Sequence, residues 1–518
     1  MMNFRQRTLF YLAVLAGVVF LPATVSASEK NDSSQYILTP KASPSPRING
    51  AKVYGARPGA DFLYRIPCTG ERPILFSAEG LPKGLKLDEN TGIITGAVKK
   101  AGEYKVTLKA VNSIGTVERD FKIVIGDKIA LTPPMGWNSW NTFAENINEK
   151  VVMETADFIV ESGLKDCGYE YVIIDDCWSL RERNEKNEIV PDPEKFPHGM
   201  KYVSDYIHSK GLKFGMYSCA GTMTCAAYPG SLDHEFIDAK CFAEWGVDYL
   251  KYDYCYHPFT TYGHVLYKRM GLALANCGRD ILFAACSWGS ENTKTWIKET
   301  GAHTWRSTGD IFDTWESIKE LALSQYKVAE YNGCGCFNDM DMLVVGMKGK
   351  GHVGLKGCTT EEYKTHFAFW AMMGSPLIIG CDLREADEEA MAILKNKELI
   401  RIDQDAAYRQ PYFVNGNRNV NNERKGDEPI YSWYPEHMPV IVRHLENGDL
   451  AIGFFNFTDN EHYECFTLDA VGLGFCTGKT LELTDVWTGE VSKPVNDTVG
   501  ANLPAHACVV YRAKVVDR

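Results

Sequence analysis

The sequence has no basic stretch able to neutralise a run of phosphates, and its 518 residues carry a formal net charge of −12. A partner recognised through a nucleic-acid backbone is thereby excluded; the surplus of acid serves solubility. No glycine-rich loop follows the first apolar run of the central region, which argues against a dinucleotide crevice in an open doubly wound sheet. Metal-site spacing is also missing. No CxxC…CxxC pair and no His/Cys set at zinc spacing occurs among the 16 cysteines and 12 histidines, so no metal is implied. Beyond the N-terminus no stretch is apolar enough to cross a membrane, and no long internal repeat is visible. What remains is an ordinary soluble balance, 45% apolar and 24% charged, in a chain long enough for two to four domains.

The first 27 residues read as a secretory signal peptide. Arg5 and Arg7 precede an apolar run from Leu9 to Val25, and Val25-Ser26-Ala27 supplies small residues for cleavage after Ala27. The run is about 17 residues long and contains Pro22, short for a membrane span. The expectation is an exported protein, periplasmic or secreted, with no stable membrane insertion. Residues 28–46 are a polar Ser/Pro/Asn linker. Residues 47–127 alternate apolar and polar positions in short runs, as in Tyr104-Lys105-Val106-Thr107-Leu108 and Phe121-Lys122-Ile123-Val124-Ile125, broken by turns such as Glu89-Asn90-Thr91-Gly92. That is a small immunoglobulin-like β-sandwich.

From residue 128 to 404 the pattern changes. Short apolar runs end in polar or aromatic clusters, and amphipathic stretches such as Val151–Ser162, His234–Trp245 and Glu361–Met373 lie between them. Eight such units, with Met342-Leu343-Val344-Val345 read as one of the runs, predict a (β/α)8 TIM barrel whose C-terminal strand ends carry the chemistry. From residue 405 to 518 period-two alternation returns, in Val440-Ile441-Val442 and Cys508-Val509-Val510-Tyr511, and predicts a C-terminal antiparallel β-sandwich.

The polar clusters at the strand ends supply candidates. In Lys251-Tyr252-Asp253 the lysine and the aspartate share one face of a strand, and a cation there favours the ionised nucleophile. A buried structural ion pair is the plain alternative. Trp305-Arg306-Ser307-Thr308-Gly309-Asp310 offers a second carboxyl, which makes two-carboxylate glycoside chemistry available; Arg306 can fork onto vicinal hydroxyls. Asp310 could instead cap a helix starting near Ile311. Asp175 and Asp176 are adjacent acids that need surrounding donors, which sugar hydroxyls provide. Trp140 can lie against an apolar sugar face, and Asn338-Asp339-Met340-Asp341 adds two more acids.

The runs Leu131–Trp140, Ile174-Asp175-Asp176-Cys177-Trp178, Tyr249–Cys255, Trp305–Asp310 and Asn338–Leu343, in that order, resemble glycoside hydrolase family 27. The stretch Gly80–Leu85 with Thr91–Gly96 resembles the immunoglobulin-like modules often fused to bacterial sugar hydrolases; spacing is its expected role. The family resemblance implies hydrolysis of terminal α-galactosides with retention at C1, a galactose-containing glycan as partner, and no cofactor. It implies Asp253 as nucleophile, Asp310 as proton donor and acceptor, and sugar contacts from Trp140, Asp175, Asp176, Tyr217, Lys251, Ser287, Arg306 and Asp341. It also implies a disulfide between Cys225 and Cys255. Retention calls for catalytic carboxyls about 5–5.5 Å apart. Holding the axial 4-hydroxyl with Asp176 and Lys251 would discriminate against glucose by leaving charges unpaired.

The match departs at three places. Ser287 stands where many relatives have Glu against the sugar 2-hydroxyl, and Ser290 is also small, which raises an α-N-acetylgalactosaminidase; a β-L-arabinopyranosidase is a further alternative. Cys177 lacks its usual partner, because Glu145 occupies that region, and Met340 replaces a proline. The competitor from another class is a non-catalytic galactoside-binding protein, which would keep the pocket and lose a carboxylate. Oligomeric state is not legible.

Overall fold

The computed structural model describes residues 38–414 and 438–518. The signal-peptide reading and the first part of the linker lie outside these residues. Leu38, midway along the predicted linker, is buried in the barrel core, where its carbonyl accepts from Asn396 Nδ2.

The first region is a small β-sandwich. Its four-stranded sheet runs Val53–Ala56, Thr116–Ile125, Gly102–Val111, Leu75–Glu79; a three-stranded sheet runs Asp61–Arg65, Ile93–Ala97, Leu85–Leu87. Alternation drives the packing: Phe121, Ile123 and Ile125 turn inward onto Tyr64, Ile94 and Leu108, while Lys122 is exposed. The long hairpin turns at Asn112, whose Oδ1 accepts from Ile114 N and Gly115 N.

Eight parallel strands follow, in the order Met135–Asn138, Tyr171–Ile173, Lys213–Cys219, Tyr249–Asp253, Leu282–Ala285, Thr304–Arg306, Phe337–Asp339, Leu377–Ile379. The first pairs with the last, and Leu343 bridges to Ile379 to close the ring. Most strand positions are buried, as expected where helices cover the outside of the sheet. Two readings are corrected here. The seventh strand is Phe337–Asp339 rather than Met342–Val345, because the chain turns at Asp341 (φ +81°) and only Leu343 of that run pairs. Asp310 caps no helix: the next one is Trp315–Ser324, capped by Thr314, whose side chain accepts from Ser317 N.

Helix Glu149–Glu161 starts on Asn148, which accepts from Val151 N. Helix Thr360–Met373 opens with a Thr359/Glu362 capping box and stops at Gly374 in the left-handed region. That helix is buried nearly all round because the C-terminal region covers its outer face; Phe369 meets Phe455 edge-on at 5.0 Å. The C-terminal sheet runs Tyr412–Phe413, Val440–His444, Leu450–Phe455, Cys508–Asp517, Lys479–Asp485, Val491–Ser492, with His462–Thr467 and Thr498–Leu503 forming a second.

The immunoglobulin-like module docks under the barrel. Arg57 N donates to Asp280 Oδ2 at 2.7 Å and Arg72 Nη2 to Asp166 Oδ2 at 2.6 Å. Asp280 lies two residues before the strand starting at Leu282, so the seam is at the N-terminal end of the strands, opposite the acids that follow their C-terminal ends.

Candidate active site

Asp175 is the hub of one half. Its Oδ2 accepts from Asn138 Nδ2 at 2.7 Å and from Lys251 Nζ at 2.8 Å; its Oδ1 accepts from Asp176 N at 2.9 Å. Three donors, one of them a cation, answer the charge of a carboxylate that is 2% exposed. Asp176 faces elsewhere. Its Oδ1 accepts from Cys177 N at 2.7 Å and its Oδ2 from Ala226 N at 3.0 Å. Ala226 follows Cys225, and the predicted Cys225–Cys255 disulfide is present, tying that loop to the end of the Asp253 strand. Burial raises the Asp176 carboxyl despite these bonds. Cys177 is a free thiol.

Asp253 ends strand Tyr249–Asp253 and is almost wholly buried. Tyr217 donates its hydroxyl to Oδ2 at 3.0 Å, and Tyr254 N donates to Oδ1 at 2.9 Å. Burial pushes the carboxyl up to about 6; Lys251 is the largest influence in the other direction. Lys251 thus acts on Asp253 through space while its hydrogen bond goes across the barrel to Asp175.

The other half is organised by Arg306. Its Nη2 lies 2.9 Å from Asp310 Oδ1 and 2.8 Å from Asp341 Oδ2, and also donates to Gly309 O at 2.7 Å. Nε donates to Thr308 Oγ1 at 3.2 Å, and Nη1 reaches Cys286 Sγ at 3.7 Å. Asp341 Oδ2 further accepts from Ile311 N at 2.7 Å, which pins the Asp310 loop. The Asp310 side chain is 68% exposed, against 6% for that of Asp341. Burial and the nearby Asp310 and Asp339 charges push Asp341 up to about 6 against the pull of Arg306. Burial also acts to raise Asp310, but Arg306 and then Lys251 hold it below the ordinary carboxylate value. Two carboxyls that share one guanidinium titrate as a pair.

Two predicted residues stand apart from this network. Ser287 gives its hydroxyl to Thr293 Oγ1 at 2.6 Å, and Thr293 donates on to Ser290 O at 2.6 Å. The loop holding it is bent, with Trp288, Glu291 and Asn292 all at positive φ. Trp140 is half-buried and edge-on to His352 at 5.3 Å. Reasoning from sequence missed Asn138, Cys286, Thr308 and the Ala226 backbone. Asn138 was findable, as the polar residue that ends a strand of otherwise buried apolar character. The Ala226 contact is made by a main-chain group, which no residue type announces.

Asn138, Lys251, Arg306, Asp339 and Asp341 also line a cavity of about 20 Å³ inside the barrel mouth. A cavity of about 380 Å³ lies instead at the opposite end, under the immunoglobulin-like module, and none of these carboxylates lines it.

A closed (β/α)8 barrel whose strand ends gather separate carboxyls around a lysine and an arginine has the parts that a glycoside hydrolase uses. Residues 132–405 match the alpha galactosidase A (melibiase) family, residues 436–513 its alpha galactosidase C-terminal beta sandwich domain, and residues 18–126 an Ig domain. The chain belongs to the melibiase family of alpha-galactosidases. It is similar to the Alpha-galactosidase of Coffea arabica, 47% identical over 77% of this chain and 98% of that one. Alpha-galactosidase A of Cellvibrio japonicus is 37% identical over 74% and 93%. Among solved structures, alpha-galactosidase I from Mortierella vinacea is 31% identical with a TM-score of 0.65, covering 74% of this chain and 97% of that one.

Proposed function

We propose that the protein is an exported retaining exo-glycosidase that releases terminal α-D-galactosyl residues from oligo- or polysaccharides. Asp253 Oδ attacks C1 and the bond to the leaving oxygen breaks; Asp310 gives that oxygen its proton. Asp310 then takes a proton from water as the water attacks C1, Asp253 is displaced, and galactose leaves with its configuration retained. Trp140, Asp175, Asp176, Tyr217, Lys251, Arg306 and Asp341 bind or orient the sugar, and Ser287 stands by its C2. Export rests on the Arg5–Ala27 pattern.

The observation that carries this reading is the difference between the two carboxyls. Asp253 is fixed by two donors in a buried strand, as an attacking group must be; the Asp310 side chain is mostly exposed on a loop, where a leaving group can depart. A sugar hydroxyl that takes over an Arg306 N–H frees Asp310 from its ion pair and lets it hold a proton. The named curated relatives, and a Saccharomyces cerevisiae alpha-galactosidase solved with raffinose, support the substrate class. The small, inward-turned Ser287 favours one second reading, an enzyme that accepts an N-acetyl group at C2.

Hydrolysis of para-nitrophenyl α-galactoside and α-N-acetylgalactosaminide, run side by side, tests both. Faster turnover of the plain galactoside, with α-galactose as the first product by NMR, is expected. Preference for the N-acetyl sugar would transfer the assignment to the second reading. Binding without turnover of either would overturn the enzyme reading.

A further inference from the structure

The underside of the barrel holds a charged group that the fold leaves without a partner. Lys165 sits in the short helix Leu164–Cys167 and is 2% exposed. Its ammonium has no hydrogen bond or ion pair with any described residue; burial acts on it most, and among charges Glu170 favours the ammonium form while Arg65 and Lys213 oppose it. The neighbouring acids are engaged elsewhere: Glu170 with Lys213 at 3.1 Å, Asp166 with Arg72 at 2.6 Å.

Across the seam, Tyr64 comes from strand Asp61–Arg65 of the immunoglobulin-like module. Its ring stacks on Phe121 at 4.8 Å, and its buried hydroxyl also lacks a partner. Lys165 and Tyr64 line the same cavity, of about 60 Å³, formed between module and barrel. The other charged residues that line it are Arg65, Lys213 and Glu170. Three cations therefore face one acid, and that acid is already paired.

A buried ammonium with no counter-charge is strongly unfavourable. Burial lowers Lys165 only to about 8, so it stays mostly charged at neutral pH. Burial raises the Tyr64 phenol, so its hydroxyl remains a donor. The cavity is walled mainly by apolar and backbone atoms, with the charged groups and the Tyr64 hydroxyl set among them, and has room for a small ion with a water. We propose that it binds one small monovalent anion, of the chloride or formate class, held between Lys165 Nζ of the barrel and Tyr64 Oη of the module. The anion supplies the missing counter-charge and fastens the module to the barrel.

Thermal unfolding of the full chain in sodium chloride against sodium gluconate, at equal ionic strength, tests this. Gluconate is too large for the cavity. Chloride should raise Tm saturably, by roughly 2 °C. Lys165→Met should lose that increment and Tyr64→Phe should reduce it. Crystals grown in bromide should show an anomalous peak within hydrogen-bond reach of both groups. Equal Tm in the two salts, an increment that persists in Lys165→Met, or a cavity holding only water in bromide would overturn the proposal. The bromide arm does not depend on either variant folding.

Discussion

The two halves of the site are built in opposite ways. Asp253 lies on a regular buried strand, and its donors come from the preceding strand and its own chain neighbour, Tyr217 and Tyr254. Asp310 lies on an irregular loop after its strand, held by one arginine that it shares with Asp341. The first half is rigid because sheet packing positions it. The second half depends on a charge network that a substrate can rearrange. An attacking group gains from fixed geometry, whereas a group that must give up and regain a proton gains from partners that can be exchanged.

The sharpest way to test that contrast is to remove each carboxylate in turn. Asp253→Asn should lower kcat by roughly 10⁴-fold or more, because no other group can form the covalent intermediate. Asp310→Asn should cost roughly 10²–10⁴-fold on an unactivated glycosidic linkage. It should cost less on para-nitrophenyl α-galactoside, whose leaving group departs without a proton. If the asparagine at 253 showed the leaving-group dependence instead, the two roles would be exchanged.

Smaller changes probe the supports. Tyr217→Phe removes one donor to the Asp253 carboxylate and should lower kcat/KM about tenfold, with little change in Tm. The pH profile gives the finest test. The nucleophile must be ionised, and its carboxyl is pushed up to about 6 by burial. On the acid side, kcat/KM should therefore fall as pH drops through about 6. Lys251→Met takes away the cation that favours the ionised form, so the limb should move upward, by roughly one pH unit. A limb that stays in place would mean that Lys251 serves only to hold Asp175.

The immunoglobulin-like module sharpens the same lesson from the other end of the barrel. Its contacts, Arg57 to Asp280 and Arg72 to Asp166, fall at the face away from the carboxylates.

Much of the architecture was legible because it rests on local pattern. Period-two alternation set the two sandwiches apart from the central region. Apolar runs ending in acids identified the barrel and the end that carries its chemistry, since only a strand buried on both faces tolerates such runs. The motif order around Asp175, Asp253 and Asp310 pointed to a two-carboxylate glycosidase before any contact was known. Other features depended on residues distant in the chain. Lys251 was read beside Asp253, yet its ammonium binds Asp175, 76 positions away, because closure of the barrel brings together side chains from strands that flank Lys213–Cys219 on either side. Arg306 joins Asp310 to Asp341 only where Asp341 adopts a positive φ and turns the chain back. An apolar pattern favours Met342–Val345 over Phe337-Asn338-Asp339, where two of three residues are polar, yet only the latter finds pairing partners along its length. Lys165 lies on a short helix at the seam with the docked module and is almost wholly buried. Sequence determined which groups are present and which face of an element they occupy. Tertiary structure decided which charges meet and which are left alone, because the energies of charged groups depend on distance and burial rather than on order along the chain.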